Sequence, residues 1–442
     1  MTVTDAEGED ADSVTRRAPF AANPSVGARG QQARQKILVA AVQVFGELGY
    51  HGCRISRITE LTGLSRVSFY QYFSSKEDLF RQLATTVAYE ITESIDELEP
   101  ISADAAGWDV LHGWMDRFSS IYDEYESVFV AFQSAAESDT TIWGGATRVG
   151  ERTNSGLHAK IVGSPLSRGQ VLAVVGTIFE TVMRGNRRSA IAEAEWPETM
   201  GSRRAGLNIA LADVFHRVLF GVDADVNVHL QKHPKRATAK RAAAAPTDGN
   251  DDAPLSAAAG RTRDLLIETS HAVFAERGFH RTRVDDIVAA AGVSHGIFYR
   301  YFDSKRDVFG LLATRAGARM AAALAELDAL EAPLPGSDQH DAEFTAWLER
   351  YAQCYAEDGP IIATWVDSMS RSGKLDELSR DAVDSGHQAI VRFLGARGFG
   401  DDRSEAVAMM ELLDTFCSQQ ATARRVSFFR WLLERGLLTP PG

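Results

Sequence analysis

One pentapeptide of the sequence has the residue types and spacing of a covalent catalyst. Gly292 to Gly296 reads GVSHG, which matches the G-x-S-x-G nucleophile elbow with Ser294 as the nucleophile. That chemistry needs a strand-to-helix turn on a parallel sheet, together with a separate histidine and acid. The surrounding residues have a helical pattern, and the corresponding stretch GLSRV from Gly63 lacks the second glycine. We therefore predict that the protein is not an enzyme and has no catalytic residues.

A second feature, rich in aromatic and basic residues, occurs twice in the chain. SFYQYFSSKEDLF begins at Ser68, and IFYRYFDSKRDVF begins at Ile297, 229 residues later. With this offset, 21 of the 52 positions from Arg34 to Thr85 are identical, and no gap is needed. Further along, an offset of 233 pairs aromatic residues of the two halves, such as Trp114 with Trp347. The duplication therefore covers whole domains.

The elements around both copies are predicted to be helices. Apolar residues recur at helical spacing, and no convincing alternating strand pattern is found, so we predict an all-α fold. In the first copy, Gly63 follows one short helix as a tight turn, and Ser65 is a suitable N-cap for the next helix, predicted to run to Phe73. The corresponding helix of the second copy is predicted over Ser294 to Phe302.

Helix starts can be predicted from paired polar residues. Ser75 with Asp78, and Ser304 with Asp307, have capping-box spacing at the start of a longer helix. Thr282 with Asp285 has the same spacing before a short helix of the second copy. The first copy has Cys53 and Ser56 at those two positions, which predicts either a weaker cap and a looser helix-turn-helix or a cap by Ser56 one turn later.

A resemblance to the TetR family of transcriptional regulators rests on FGELGYHGCRISRITELTGLSRVSFYQYFSSKEDLF and FAERGFHRTRVDDIVAAAGVSHGIFYRYFDSKRDVF. The pattern Tyr-x-Tyr-Phe-x-Ser-Lys after the glycine turn is the specific part, and both copies have it. Residues 33–85 and 262–314 resemble that family's N-terminal domain, whereas 86–220 and 315–442 resemble its sensing domain only in helicity, size and position. The resemblance implies two TetR-like units, each a three-helix helix-turn-helix domain followed by a helical ligand-sensing domain.

The resemblance also implies roles for the motif residues on double-stranded DNA. A recognition helix fits the major groove, where polar side chains pair with base edges. The residues expected to face bases are Arg66, Val67, Ser68, Gln71, His295, Gly296, Ile297 and Arg300. Those expected to contact phosphates are Tyr70, Tyr72, Lys76, Tyr299, Tyr301 and Lys305. The phenylalanines of the motif are expected to point inward and anchor each helix. The alternative interpretation of the motif is plain aromatic core packing.

Aromatic residues of the later segments are candidates for lining an apolar ligand pocket. They are Trp114, Phe118, Tyr122, Phe132, Phe179, Trp347, Tyr351, Tyr355 and Trp365. Aromatic residues at helical spacing are also the ordinary content of a core, so both interpretations stay open. The resemblance implies a small apolar effector.

Composition sets further limits. The net charge is −13, but residues 33–80 carry +2 and 262–309 carry 0, so the acidity lies in the later segments and does not exclude DNA. The three cysteines have no metal-ligand spacing, and we predict neither metal nor cofactor. The acidic N-terminus has no apolar signal region, and no run approaches a membrane span, which predicts a cytoplasmic protein without membrane contact.

The composition also predicts where the domains begin and end. The predicted segments are a disordered tail at 1–30, helix-turn-helix domain 1 at 31–80, helical regulatory domain 1 at 81–220, a flexible linker at 221–260, helix-turn-helix domain 2 at 261–309 and helical regulatory domain 2 at 310–442. The linker includes the basic cluster KHPKRATAKR, which either touches phosphates or is simply solvated.

The resulting expectation is a ligand-responsive, sequence-specific repressor. The two units of one chain would act as a pseudo-dimer on an asymmetric operator, because their recognition helices differ. Further homodimerisation, and the choice between repressor and activator, are left open. The alternative is a helical ligand-binding or interaction protein in which one or both DNA-binding heads are inactive.

Overall fold

The computed structural model describes residues 28–138, 140–195, 203–221, 257–330, 338–372, 377–396 and 403–438. Within these ranges nearly every residue is helical, and the extended contact is a single bridge between Ile101 and Ile161. The all-α prediction is confirmed. Most of the predicted tail and linker, with the basic cluster, lies outside the described residues.

The chain divides into two compact units, residues 1–190 with 211–223 and residues 191–210 with 224–442. The helices of the described residues before 222 run in chain order as follows: α1 Ala28–Gly52, α2 Ile55–Thr62, α3 Arg66–Tyr70, α4 Lys76–Asp96, α5 Ala105–Glu124, α6 Glu126–Ser138, α7 Thr140–Lys160, α8 Arg168–Glu195 and α9 Arg203–Phe220.

The helices after residue 256 repeat this order at the start. They are α10 Ala257–Arg281, α11 Val284–Ala291, α12 His295–Tyr301, α13 Lys305–Ala325, α14 Asp338–Ser372, α15 Glu377–Gly395, α16 Arg403–Cys417 and α17 Ala423–Leu433. A 3₁₀ turn, Glu326–Ala329, follows α13, and a π turn, Glu434–Leu438, follows α17.

A glycine in the left-handed region makes the turn of each helix-turn-helix. Gly63 ends α2 with φ of 69°, and Gly292 ends α11 with φ of 65°. Side chains with a Cβ rarely adopt this conformation, which is why both copies carry glycine here. We call α1–α3 head 1 and α10–α12 head 2.

Helix caps explain where the elements begin. Ser65 Oγ accepts a hydrogen bond from Ser68 N at 3.1 Å, and Ser75 Oγ accepts one from Asp78 N at 3.1 Å, so both predicted caps are confirmed. The return bond of the second cap differs from a standard capping box, because the Asp78 carboxylate accepts from Ser74 N at 2.8 Å. Ser304 and Asp307 repeat the same arrangement in the second unit.

The predicted cap of α11 is wrong. Thr282 does not cap this helix, because its hydroxyl donates to the Gly278 carbonyl oxygen at 2.8 Å. The N-cap is Arg283, whose backbone N–H donates to the Asp286 carboxylate at 2.8 Å. In the first unit, α2 starts after Arg54 without a side-chain cap, as the weaker cap signal predicted.

The boundary between head and regulatory region differs between the units. In the first unit the chain breaks at Tyr125, between α5 and α6. In the second unit α14 continues through Gly359 and Pro360, and Ile361 is fully buried in the core of head 2. One helix of the second unit therefore joins both regions.

Among the described residues, one helical segment, 305–329, has the length and apolarity that a membrane crossing would need. Its buried residues Val308, Phe309 and Leu312 belong to the core of head 2. A core helix of a folded domain passes the same test, so this segment is accounted for by its packing.

Candidate DNA-binding surfaces and aromatic cores

The recognition helix of head 1 is α3, which is shorter than predicted. It ends at Tyr70, and the following turn is closed by the Tyr72 N–H, which donates to Phe69 O at 2.9 Å. Phe69 and Phe73 are buried, as predicted, so they hold the short helix against the domain. Three of the residues expected at base edges, Arg66, Val67 and Gln71, are exposed, and Ser68 is half-buried.

Head 2 presents a different set of side chains on the same framework. Its recognition helix α12 is anchored by buried Phe298 and Phe302. His295, Gly296 and Arg300 are exposed, and Ile297 is half-buried. The exposed members of the predicted base-facing set are therefore Arg66, Val67, Gln71, His295, Gly296 and Arg300. Ile297 packs against the core of its domain. The bases that these residues would contact remain a prediction.

The motif tyrosines divide into two pairs. Tyr70 and Tyr299 are 55% and 54% exposed, and each ring packs edge-on against the anchoring phenylalanine before it. Tyr72 and Tyr301 are half-buried. Tyr70 and Tyr299 are therefore the more exposed pair, and each ring is held by its phenylalanine neighbour. A tyrosine O–H held in this way can donate to a phosphate.

The two motif lysines are bonded within their own domains. Lys76 Nζ donates to the Tyr50 carbonyl oxygen at 3.0 Å and lies 4.2 Å from the centre of the Tyr50 ring. Lys305 Nζ donates to the carbonyl oxygens of Phe279 and Thr282, both at 2.7 Å. Burial lowers the pKa of the Lys305 ammonium, and the charge of Asp286 opposes this. Each lysine thus ties the recognition region to the end of the first helix.

An imidazole–carboxylate contact is found in head 2. His295 Nε2 lies 2.5 Å from Asp285 Oδ1, which joins the recognition helix to the helix before it. The corresponding residues of head 1 are Arg66 and Ser56. Three side chains of these two surfaces had no role in the sequence interpretation beyond the cap suggested for Asp285. They are Asp285 itself and the exposed N-cap arginines of α2 and α11, Arg54 and Arg283.

The charges of the two surfaces differ as well. Residues 54–76 of head 1 contain four basic side chains and one acidic side chain, a net charge of +3. Residues 283–305 of head 2 contain three of each, a net charge of 0. Head 1 is therefore the more favourable surface for a polyanion.

The predicted pocket residues of the first unit form a connected aromatic core. Trp114 lies 5.9 Å from Phe118 between ring centres, and Phe118 lies 5.8 Å from Phe179. Tyr122 joins through Phe129, which the sequence interpretation missed, at 4.7 Å. Phe132 packs against Trp143 instead, at 5.4 Å. We call Trp114, Phe118, Tyr122, Phe129 and Phe179 the first aromatic core.

The second unit has a corresponding core. Trp347 stacks with Tyr351 at 5.4 Å and with Phe344 at 5.6 Å. Tyr355 donates from its hydroxyl to the Asp414 carboxylate at 2.8 Å. The side chain of Trp365 lies outside the described residues. We call Phe344, Trp347 and Tyr351 the second aromatic core.

The matching tryptophans of the two cores differ in hydrogen bonding. Trp347 Nε1 donates to the Ala323 carbonyl oxygen at 2.9 Å. Trp114 is 1% exposed, and no acceptor for its Nε1 lies among the described residues. In the same unit, Asn154 Oδ1 and Asn186 Oδ1 are buried acceptors for which no donor lies among the described residues. Buried polar groups normally have partners, so the Trp114 indole N–H departs from the usual pattern and that of Trp347 follows it.

Cys53 lies at the base of head 1, at the position of Thr282 in head 2. The side chain is buried, and this burial raises the pKa of the thiol to about 11, with the charge of Lys76 opposing. The protonated thiol is therefore the stable form at neutral pH, which is consistent with a packing role.

Comparison with known proteins identifies the two heads. The sequence model described as bacterial regulatory proteins, tetR family, matches residues 37–83 and 266–312. These ranges hold both glycine turns, both recognition helices and both motif lysines. The nucleophile-elbow match falls inside the second range, at a turn between two helices, where the strand that an elbow requires is missing.

Individual relatives agree with this match over short stretches. The chain is 37% identical over 73 residues to the HTH-type transcriptional repressor AcnR of Corynebacterium efficiens, 16% of this chain and 39% of that protein. It is 43% identical over 53 residues to the HTH-type transcriptional regulator RutR of Escherichia coli K12, 12% of this chain and 25% of that protein. The matches thus span well under half the length of these curated relatives.

Proposed function

We propose that this chain, both of whose helix-turn-helix domains belong to the tetR family of bacterial regulatory proteins, is a sequence-specific DNA-binding regulator of transcription. The observation that carries the proposal is that both heads keep a complete binding framework. Each has a glycine turn, a buried pair of phenylalanines, an exposed tyrosine and exposed side chains on the recognition helix.

The regulator acts as a pseudo-dimer formed by the two heads of one chain. Dimeric helix-turn-helix proteins bind half-sites about 34–36 Å apart or multiples of this. The 35 residues between Gly221 and Ala257, taken as a flexible linker, have an average span of roughly 30–35 Å, which is long enough to let both heads reach one site. Because the outer residues of α3 and α12 differ, the operator has two unlike half-sites.

Such a protein acts on the chromosome and therefore works in the cytoplasm.

Footprinting tests this proposal with the full-length protein and the DNA that flanks its own gene. We expect protection of two adjacent half-sites of different sequence. Protection of a clean palindrome would contradict the asymmetric operator, and no protection on this or random DNA would favour the alternative of an interaction protein with inactive heads. Light scattering with and without DNA would show whether two chains associate further.

The salt dependence of binding should report the phosphate contacts of head 1. Arg54 is exposed at the start of α2, and we assign it to a phosphate group. Arg54→Gln is then expected to reduce the slope of log affinity against log salt by about 0.9, because one phosphate-bound cation is lost. The measurement is fluorescence anisotropy of operator DNA between low and physiological salt. Arg117→Gln is the matched control, because Arg117 pairs with Glu97 in the regulatory region, 2.5 Å away. An equal change in both variants would contradict a local phosphate contact.

Binding of an effector at the first aromatic core releases the DNA. The effector class is an uncharged aromatic compound with one hydrogen-bond acceptor. Support comes from the buried rings and from Trp114 Nε1, an indole N–H that can only donate. The second core has its tryptophan already bonded to Ala323, so the two units have unequal roles.

Coumarin, an aromatic compound with a carbonyl acceptor, is expected to raise the unfolding temperature and to release labelled operator DNA. Trp114→Phe should weaken coumarin binding about 2- to 10-fold, the worth of one hydrogen bond, and Trp347→Phe should not. Naphthalene, which lacks the carbonyl group, is the matched probe. Equal responses to naphthalene and coumarin, or equal effects of the two variants, would contradict the assignment of Trp114.

A further inference from the structure

The start of the recognition helix in head 2 holds a polar pair that head 1 lacks. His295 is the first residue of α12, and Asp285 is the second residue of α11. Their side chains are 55% and 73% exposed, yet Nε2 and Oδ1 lie 2.5 Å apart. An ionised carboxylate can only accept, so the imidazole donates from Nε2, and this bond fixes the orientation of the ring.

Asp286, the residue after Asp285, has different bonding partners. Asp286 accepts from the Arg283 backbone N–H at 2.8 Å and forms an ion pair with Arg277 at 2.5 Å. Its carboxylate is thus committed to the start of α11 and the end of α10. Asp285 makes its contact outward, to the recognition helix, and keeps a second carboxylate oxygen for another partner.

The space in front of the pair is open. Gly296 follows His295, and a Cβ placed there would meet only Ser294 Oγ, at 3.9 Å. The corresponding residue of head 1 is Val67, which is 71% exposed and therefore projects from the surface. A base edge can approach closer at this position of head 2 than at the same position of head 1.

We propose that Asp285 is a specificity-determining residue of head 2, which holds His295 in place and selects a cytosine in the adjoining half-site. This inference rests on the proposed function. In the major groove cytosine presents an amino donor alone, adenine presents an amino donor beside the N7 acceptor, guanine presents two acceptors, and thymine presents an acceptor and a methyl group. A carboxylate oxygen accepts from the cytosine amino group and is repelled by the acceptors. Head 1 has Arg66 at the position of His295, and arginine pairs with guanine.

Selection from a random duplex DNA pool, with the full-length protein, tests this assignment. The wild-type chain should recover sites with cytosine at one position of one half-site. Asp285→Asn keeps the size of the side chain but can also donate, so guanine and thymine become acceptable. The preference for cytosine is expected to fall about 5- to 150-fold at that position and to stay unchanged elsewhere. His295→Ala should also lower the preference for cytosine at the same position of the DNA.

Ser56→Ala is the matched control, because Ser56 occupies the corresponding position in head 1. It should leave the preference at the cytosine position unchanged. An unchanged preference in Asp285→Asn, or tighter binding to all sequences by one common factor, would overturn the assignment while leaving the proposed function intact. If the wild-type chain recovers no sequence at all, the proposed function fails as well.

Discussion

Replacing Phe298 with alanine is expected to lower the free energy of unfolding of the second unit by about 3–5 kcal/mol, the usual cost of removing a buried phenyl ring. Phe298 is fully buried and contacts Phe302 at 5.8 Å between ring centres. Its cluster also includes Ile361 of α14. The ring is therefore what holds a seven-residue helix to the rest of head 2. Chemical denaturation followed by circular dichroism measures the loss.

The same variant should weaken operator binding about 10²- to 10⁴-fold, because one of two tethered heads is lost. Phe298→Leu is the control, since a substitution that nearly conserves volume usually costs less than about 1.5 kcal/mol. Phe69→Ala is the matching change in head 1, where Phe69 is equally buried. Unchanged operator affinity in Phe298→Ala would contradict simultaneous binding by both heads.

The heads could be predicted from the sequence because their signals are local and occur twice. Glycine turns, serine caps and alternating buried and exposed aromatic residues all lie within a few residues of one another. The predicted end of α3 was wrong for a local reason too. Three residues beyond Tyr70 remain bonded to the helix through turn-like contacts, such as Tyr72 N to Phe69 O, without continuing it.

Contacts between distant residues could not be predicted in this way. Lys76 bonds to a carbonyl group 26 residues earlier in the chain, whereas its interpretation as a phosphate ligand came from the family resemblance. Thr282 has a serviceable capping pattern, but the Gly278 carbonyl competes for its hydroxyl. A side chain that could form a hydrogen bond with either of two partners bonds to the one that the tertiary fold places nearer. The spacing of residues in the sequence does not show which partner that is.

The aromatic cores show the same limit. Their membership was largely predictable, because aromatic residues at helical spacing must be buried together. The hydrogen bonds that distinguish them were not. Trp114 and Trp347 occupy corresponding positions, and only the packing of α13 shows that Ala323 presents its carbonyl oxygen to the second.

Arg319→Met is expected to lower the free energy of unfolding of the second unit by about 3 kcal/mol. Arg319 on α13 forms a two-pronged ion pair with Asp358 on α14, with Nε 2.6 Å from Oδ2. This hydrogen bond raises the pKa of the guanidinium, against the effect of burial. Asp358 is 1% exposed, so removing its partner leaves a buried carboxylate uncompensated, a change that costs about 3–5 kcal/mol. The lower end applies because Arg319 itself is half exposed.

Arg350→Met provides a control within the same unit. Arg350 pairs with Glu326 at 3.0 Å, but both side chains are about half exposed, and such pairs contribute about 0–1 kcal/mol. Thermal and urea unfolding of the two variants therefore separate burial from mere ion pairing. Equal losses would contradict the argument that the buried carboxylate dominates.

The position of this ion pair explains why its loss should also reach the DNA. Asp358 directly precedes Gly359 and Pro360, and Ile361 is already inside head 2. The first unit has Tyr125 and Glu90 at the corresponding positions, and neither side chain is a cation, so no ion pair of this kind joins them. Arg319→Met should therefore weaken operator binding through head 2. The control is Glu90→Gln, which exchanges a carboxylate for a neutral side chain of the same size. It should change operator affinity much less. Anisotropy titrations of the two variants on one operator would test this. An equal loss of operator affinity in both variants would contradict a special role for the Arg319–Asp358 ion pair.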